Sequence, residues 1–458
     1  MNKNQFQAKV NKKQLTLTVE KLIVYKQTKI IEATDHQSNF YYAVFFKNHF
    51  VNGVKANQIR LNSYIHQACK HGICYDRIHP FITHLVHDKT FHFTKFNQLI
   101  KSLPKQYSSK EIAFIFLFFN SFTKQGSSRK LFKNTFYDYR RNGKDFTAYQ
   151  ALKYYSNYNP SNKFVFDMLH NLQFQRYEKH YNDLNTLYEK DPDYAELVCF
   201  DNRYDPAFSQ ILFQLYRDQH RSLDEIAVRL DLLKHQFTMA NFQELKELIK
   251  NFPLHDQIRI LGDLIDTDHS ANITEELFSL LLDGGEPNDI AQFILTNDIQ
   301  PQEKQLPLLI EKLEKADTSV LVSNFESSNK RLLTISNHNK ITLEKLVTPF
   351  VSAFFDEYSL NKIMEWFAPF QQANIHLSLE QKLKKMKKLT NDPDRQFALG
   401  EMYLDFQQLE KSIDCFKWEM EMNPEDPKPV NYLSKIYAEM GNREEAKAYQ
   451  QLMVQMNK

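Results

Sequence analysis

The spacing of apolar residues changes between residues 50 and 56. In the first stretch Leu15, Leu17 and Val19 alternate with polar residues, the two-residue period of a strand. The runs Lys29 to Thr34 and Phe40 to Phe46 flank the cluster Asp35-His36-Gln37-Ser38-Asn39, whose composition is that of a turn. A short β-hairpin or a small three-stranded element is predicted here, with Glu20 to Gln27 also readable as helix. From residue 56 the pattern is helical. Candidate helices run from Ala56 to Lys70, from Tyr75 to His87 after a break at Gly72, and from Phe93 to Leu103 before Pro104. Helix, short turn with glycine and second helix is the outline of a helix-turn-helix. Beyond Ser108 helix follows helix. Ser108-Ser109-Lys110-Glu111, Ser222-Leu223-Asp224-Glu225 and Ser378-Leu379-Glu380-Gln381 have the form of capping boxes. Asn159-Pro160, Asp191-Pro192, Gln300-Pro301 and Asp392-Pro393 mark helix boundaries.

A repeat lies within this helical region. Leu399, Gly400, Tyr403, Phe416 and Pro424 have the spacing W-x2-L-G-x2-Y…A-x3-F…P. Leu433, Tyr437, Gly441 and Ala446 form a second copy in the same register, Leu399 mapping on Leu433 and Tyr403 on Tyr437. Leu399 and Tyr403 stand at i, i+4 and share one helix face. Gln396 replaces the tryptophan of the pattern, Ser412 its alanine, and Gln450 the second copy's phenylalanine. Tyr139, Gly143, Ala148 and Pro160 fall in the same register, with Leu152 at the phenylalanine position. Asp191-Pro192 follows Asn159-Pro160 at nearly the same interval. Between about residues 200 and 390 the helix pairs show no clean register.

This segment resembles a pair of tetratricopeptide repeats (TPRs). The expected fold is mainly α: a small basic N-terminal domain over 1–104, with a β element and helix-turn-helix-like helices, then a degenerate TPR-like solenoid over 108–458, clearest at 130–195 and 393–458. The layout is similar to that of the intracellular peptide-pheromone receptors of Gram-positive bacteria and their phages, which regulate transcription or its regulators. In the TPR family the first helix of each repeat lines a concave groove. Carried over by register, Phe397, Glu401, Asn431 and Lys435 would face a bound peptide or protein segment.

Composition narrows the chemistry. Only nine glycines occur in 458 residues, and none has the spacing of G-x-G-x-x-G, a Walker A loop or G-x-S-x-G. No H-E-x-x-H is present. Four cysteines form no disulfide framework and suit a reducing cytoplasm. The polar stretch Met1 to Lys13 lacks the apolar core of a signal peptide, and Ile112 to Phe119 is too short to span a bilayer.

Net charge is only +2, but residues 1–180 hold 28 Lys+Arg against 10 Asp+Glu, while residues 181–458 hold 30 against 46. A basic front half points to a polyanion or to an acidic partner. Lys70, Tyr75, Arg77, Lys89, Arg129, Lys130, Arg140 and Arg141 are the candidate nucleic-acid contacts. Phe114, Phe116, Phe118, Phe119, Phe132 and Phe136 stand beside several of them and read more readily as helix core than as base-stacking platforms.

His66, Cys69, His71, Cys74, His79, His84, His87 and His92 crowd one short stretch, but the usual C-x2-C pairs are missing and no metal is expected. Asp266-Thr267-Asp268-His269-Ser270 begins like a calcium loop, then has Ala271 in place of glycine and Leu277 in place of the bidentate glutamate. No catalytic arrangement and no cofactor motif can be read. The sequence thus implies a cytoplasmic regulator that binds a peptide or protein segment and contacts DNA through its head. The alternative is a non-catalytic adaptor docking an acidic protein. A phosphatase like some pheromone-receptor relatives is a third reading. The partners expected are a peptide or protein segment, DNA and a second copy of the chain, with no membrane.

Overall fold

The structure, a computed structural model, describes residues 4–10, 13–87, 89–265 and 270–456, the side chains of 270–272 excepted. The chain forms two compact units, residues 1–269 and 270–458, and each is described by itself. Helix accounts for 65% of the protein, which makes it mainly α with an N-terminal barrel-like sheet.

The sheet of the first unit has seven strands: β1 (Gln5–Val10), β2 (Lys13–Tyr25), β3 (Thr28–Thr34), β4 (Phe40–Phe46), β5 (His49–Lys55), β6 (Ile73–Asp76) and β7 (Thr90–Phe93). Their order is β5-β4-β3-β2-β1-β7, antiparallel except for the β1–β7 pair, with β6 added on β2. β2 is long enough to serve two partners: its first half pairs with β1 and its second with β6, across a bulge between Val19 and Lys21. The two ends of the order approach each other. The Asn52 side chain on β5 donates to the Thr94 carbonyl at 2.9 Å and accepts from the Thr94 N–H at 2.8 Å. The enclosed face is aromatic. Phe91 meets Phe6, Phe45 and Phe50 at centroid distances of 5.5, 5.5 and 4.6 Å. Gly53 leaves room for the Phe93 ring: a Cβ there would lie 2.1 Å from it.

The helices of this unit are α1 (Tyr64–His71), α2 (Pro80–Val86), α3 (Phe96–Ser102), α4 (Ser109–Phe118), α5 (Ser127–Arg141), α6 (Asp145–Tyr158), α7 (Lys163–Leu169), α8 (Leu172–Glu178), α9 (Leu184–Lys190), α10 (Pro192–Asp201), α11 (Pro206–Asp218), α12 (Ser222–His235), α13 (Met239–Ile249) and α14 (Leu254–Gly262). The sheet is larger than the hairpin predicted. Strands at Ile73–Asp76 and Thr90–Phe93 also interrupt the region read as helix-turn-helix, because each finds an open sheet edge to pair with.

The β2–β3 turn enters the helices with its polar residues buried. Lys29, 1% exposed, places Nζ 2.5 Å from Asp224 Oδ2 on α12. Arg221 reaches the same carboxylate at 3.1 Å and Glu196 on α10 at 2.7 Å. Tyr154 donates to Gln27 Oε1 at 3.0 Å, and Gln27 donates to the Asp193 carbonyl at 3.1 Å. Lys26 binds Asp201 at 2.8 Å, while Lys47 and Lys110 bind Asp193 at 3.2 and 3.0 Å. These buried pairs tie the sheet to α10–α12. The chain therefore does not divide at 104–108, where the sequence placed its domain boundary, but at 269–270.

The second unit contains α15 (Ser270–Gly284), α16 (Pro287–Thr296), α17 (Leu306–Glu314), α18 (Thr318–Ser323), α19 (Phe325–Ile335), α20 (Lys340–Phe354), α21 (Leu360–Trp366), α22 (Ala368–Gln372), α23 (Ser378–Leu389), α24 (Gln396–Asp405), α25 (Leu409–Met422), α26 (Pro427–Glu439) and α27 (Arg443–Met456). One turn recurs in it at near-equal intervals. Asn337, Asn374, Gln407 and Gly441 all have left-handed φ (50°, 56°, 57° and 77°). The N–H after each reaches back five residues: His338 to Leu333 at 3.5 Å, and Ile375 to Phe370, Gln408 to Tyr403 and Asn442 to Tyr437 at 2.9 Å each. This closure ends a helix and reverses the chain. The same five-residue closure thus occurs as far back as the end of α19, in a region whose sequence shows no repeat. In the first unit the same turn occurs at Gly143 and His220.

These contacts set the cost of two substitutions. Lys29→Met leaves Asp224 short of a partner in a dry site, and should cost about 3–5 kcal/mol in urea unfolding of the full chain. Gln407→Gly removes the left-handed penalty at a turn where the next hairpin already has glycine, and should raise stability by about 1 kcal/mol; Gly441→Ala should lower it by a similar amount.

Candidate functional site

α24 with α25 and α26 with α27 form the last two helical hairpins. Gly400 lets α25 approach: a Cβ there would lie 3.0 Å from the Phe416 ring. Ser412, the departure from alanine, donates to the Gly400 carbonyl at 2.7 Å, and Ser434 donates in the same way to Ala446 at 3.2 Å. Ile413, Phe416, Leu433 and Ile436 form the core between the hairpins. Tyr432 stacks on Phe416 at 4.8 Å, and Tyr449 stacks on Tyr437 at 5.5 Å. Tyr403 is half-buried, its ring 6.0 Å edge-on from Phe355.

The four residues assigned to a groove separate here. Phe397 packs inward, edge-on to Phe416 at 5.3 Å and to Tyr432 at 5.5 Å, so it supports the packing instead of lining an open face. Glu401 is exposed and accepts from the Tyr432 hydroxyl at 2.9 Å. Asn431 and Lys435 lie one turn apart on α26, half-buried and exposed respectively. Among the described residues neither side chain has a hydrogen-bond or ion-pair partner. They are the two of the four whose polar groups are free.

An open trough of about 1080 Å³ lies earlier in this unit, at the turn preceding α20. Leu306, Ile310, Ile335 and Ile341 are its apolar lining, with Asn337 and Lys345 among the polar residues. In the first unit a cavity of about 580 Å³ opens between α11, α12 and α13. Arg229 lies at its floor, 3.9 Å over the Phe213 ring, with Glu225 and Asn241 as partners. Arg217 at its rim is held by Glu225 and Glu244.

The candidate nucleic-acid residues do not share one setting. Tyr75, expected on a base-reading helix, is buried on β6 with its hydroxyl donating to the Ala227 carbonyl at 3.2 Å. In the strand it shares the buried face with Ile73, while Cys74 and Asp76 point outward, which removes it from the surface. Lys70, Arg77 and Lys89 are exposed, the last donating to the Leu85 carbonyl at 3.2 Å. Arg140 is engaged by Gln173 at 2.6 Å and Asp145 at 3.7 Å, and Arg141 by Asp138 at 2.6 Å. Arg129 and Lys130 project from α5 with no hydrogen-bond or ion-pair partner among the described residues. Of the basic front half, Lys26, Lys29, Lys47 and Lys110 are held by carboxylates of residues 191–224. Those four pairs are internal complementarity between the basic and acidic parts of the chain.

The histidine and cysteine cluster does not converge. Cys69 lies near the end of α1, half-buried, Cys74 is exposed on β6, and burial raises both thiols. Among the described residues no three His, Cys, Asp or Glu side chains are placed to hold a metal. Residues 266–269 of the calcium-like loop lie outside the described residues. No protein-family model matches the chain, and no curated protein gives a match.

His79 is the most perturbed of this cluster. It caps α2, its Nδ1 accepting from the Phe81 N–H at 3.3 Å, and its Nε2 lies 3.6 Å from Asp263. Burial outweighs the attraction of Asp76 and pushes the imidazole from 6.5 to about 3. The unfolded chain therefore binds a proton between these values that the folded chain refuses, so stability rises with pH there. Unfolding free energy should fall as pH drops from 6.5 toward about 3, with a steeper fall for the native chain than for His79→Gln, whose amide keeps the cap. Parallel curves from urea titrations across this range would refute a buried neutral imidazole.

Proposed function

We propose that this protein is a non-catalytic adaptor whose second unit is a TPR-like array binding a peptide or protein segment along α24 and α26. The observation that carries this reading is the recurrence of one helix-ending turn at Asn337, Asn374, Gln407 and Gly441, at near-equal intervals. Stacked helix pairs present an extended surface to a protein segment. On that surface Asn431 offers an amide able to donate and accept along a backbone, and Lys435 a cation for a carboxylate. The regulator reading ranks second, because strands break the helix-turn-helix outline and Tyr75 is buried. The adaptor would work in the cytoplasm, where its four free thiols stay reduced. Among the described residues no helix is long and apolar enough to cross a membrane.

Cross-linking of the full chain in extract of its native cells, read by mass spectrometry, should place partner cross-links on α24 and α26. Asn431→Ala with Lys435→Ala should abolish them with the melting temperature nearly unchanged, since free surface groups contribute little to stability. Undiminished cross-links in the double variant would refute this assignment.

A further inference from the structure

Residues 89–137 hold nine Lys+Arg and one acidic residue, Glu111. Glu111 is occupied in a capping box, accepting from the Ser108 N–H at 2.8 Å. Of the nine cations only Lys110 reaches a carboxylate among the described residues. The excess is concentrated on α5. Lys124 just before it, and Arg129, Lys130 and Lys133 on its first turns, are all exposed and form no ion pair among the described residues. One turn beyond Lys133 the Tyr137 ring is 40% exposed, with Lys133 Nζ 6.0 Å from its centroid and 4.9 Å from that of Phe164. Tyr137 is the fourth residue after Lys133 and the seventh after Lys130, so ring and cations share one side of the helix. The buried face of α5 is separate: Phe132 stacks on Phe114 and meets Tyr155, and Phe136 meets Phe174 edge-on.

We propose that this face of α5 binds single-stranded nucleic acid without sequence readout, Arg129, Lys130 and Lys133 taking phosphates and Tyr137 stacking on a base. Cations alone would suit any polyanion. The exposed ring distinguishes the partner, because an unpaired base offers a π-face that a duplex keeps stacked and that an acidic protein helix or lipid headgroup lacks. Cations on phosphates suit this mode, since phosphate contacts position a strand without reading its bases. This inference concerns the first unit and stands apart from the segment-binding reading of the second.

The test is fluorescence anisotropy of the full chain with a labelled oligo-dT of about 20 nucleotides. Matching duplex DNA and phosphatidylserine vesicles are the other arms. Three phosphate contacts at about −0.7 each give a log–log salt slope near −2, so affinity should fall about 20-fold between about 50 and about 200 mM salt. Lys130→Ala with Lys133→Ala should flatten the slope by about 1.4. Tyr137→Ala should weaken binding about tenfold or more at unchanged slope, and Tyr137→Phe should retain it. The lysine variants and Tyr137→Phe should keep the native circular dichroism and melting temperature, and Tyr137→Ala, whose ring also meets Phe136 and Phe164 at 5.2 and 6.0 Å, should keep the native circular dichroism at a somewhat lower melting temperature. No binding at about 50 mM salt, duplex binding as tight as single-strand binding, binding to vesicles alone, or insensitivity to both α5 variants would each overturn the proposal.

Discussion

Two cations and two carboxylates share one dry site at the base of the sheet: Lys29, Arg221, Asp224 and Glu196. Burying charges is costly unless each finds a partner, and removing one strands another in low dielectric. The cluster therefore dictates how the β2–β3 hairpin meets α10 and α12, because a displaced register would leave several charges unmatched. Gln27 and Tyr154 extend the constraint with neutral hydrogen bonds, and Lys26, Lys47 and Lys110 extend it with ion pairs at its margin. The sheet and the first fourteen helices form one unit for this reason, despite their different secondary structure.

The second unit relies on geometry more than charge. A left-handed residue reverses the chain after four helices, and glycine stands at only one of the four positions. Asparagine tolerates that conformation through local hydrogen bonding, and Gln407 is held there against its preference by the hairpin's packing. Between the last hairpins, small or hydroxyl-bearing residues at Gly400, Ser412 and Ser434 let helices approach, and the stacked Phe416–Tyr432 pair fills the seam. Such an arrangement leaves the outward positions of α26 free of structural duty, which is where Asn431 and Lys435 stand.

Surface charge and buried charge have different meanings in this protein. The lysines that meet carboxylates of residues 191–224 stabilise the fold and are unavailable to a partner. Those of α5 have no such counterpart among the described residues and remain in water. Net charge along the sequence merges the two groups, so a basic half-chain is a weaker indicator of polyanion binding than three unpaired cations beside an exposed ring.

The helical class, the capping box at Ser108, the final two hairpins and the turns at Gly143 and Gly441 were legible in residue order, because each rests on contacts between near neighbours in the chain. The β3–β4 hairpin around Asp35–Asn39 was legible too, but the rest of the strand pairing was not. The segment around Tyr75 has a pattern that a helix or a strand could satisfy, and the open edge of β2 decided for strand. Phe397 occupied the right register yet turned inward, because Phe416 and Tyr432 offered it an aromatic pocket. Asn337 and Asn374 carried the hairpin register unnoticed, since asparagine serves turns of many kinds and only the five-residue closure identifies this one. Which lysines are engaged depended on carboxylates far away in the chain, as Lys29 and Lys47 on Asp224 and Asp193, and such partners are brought together only by the tertiary fold.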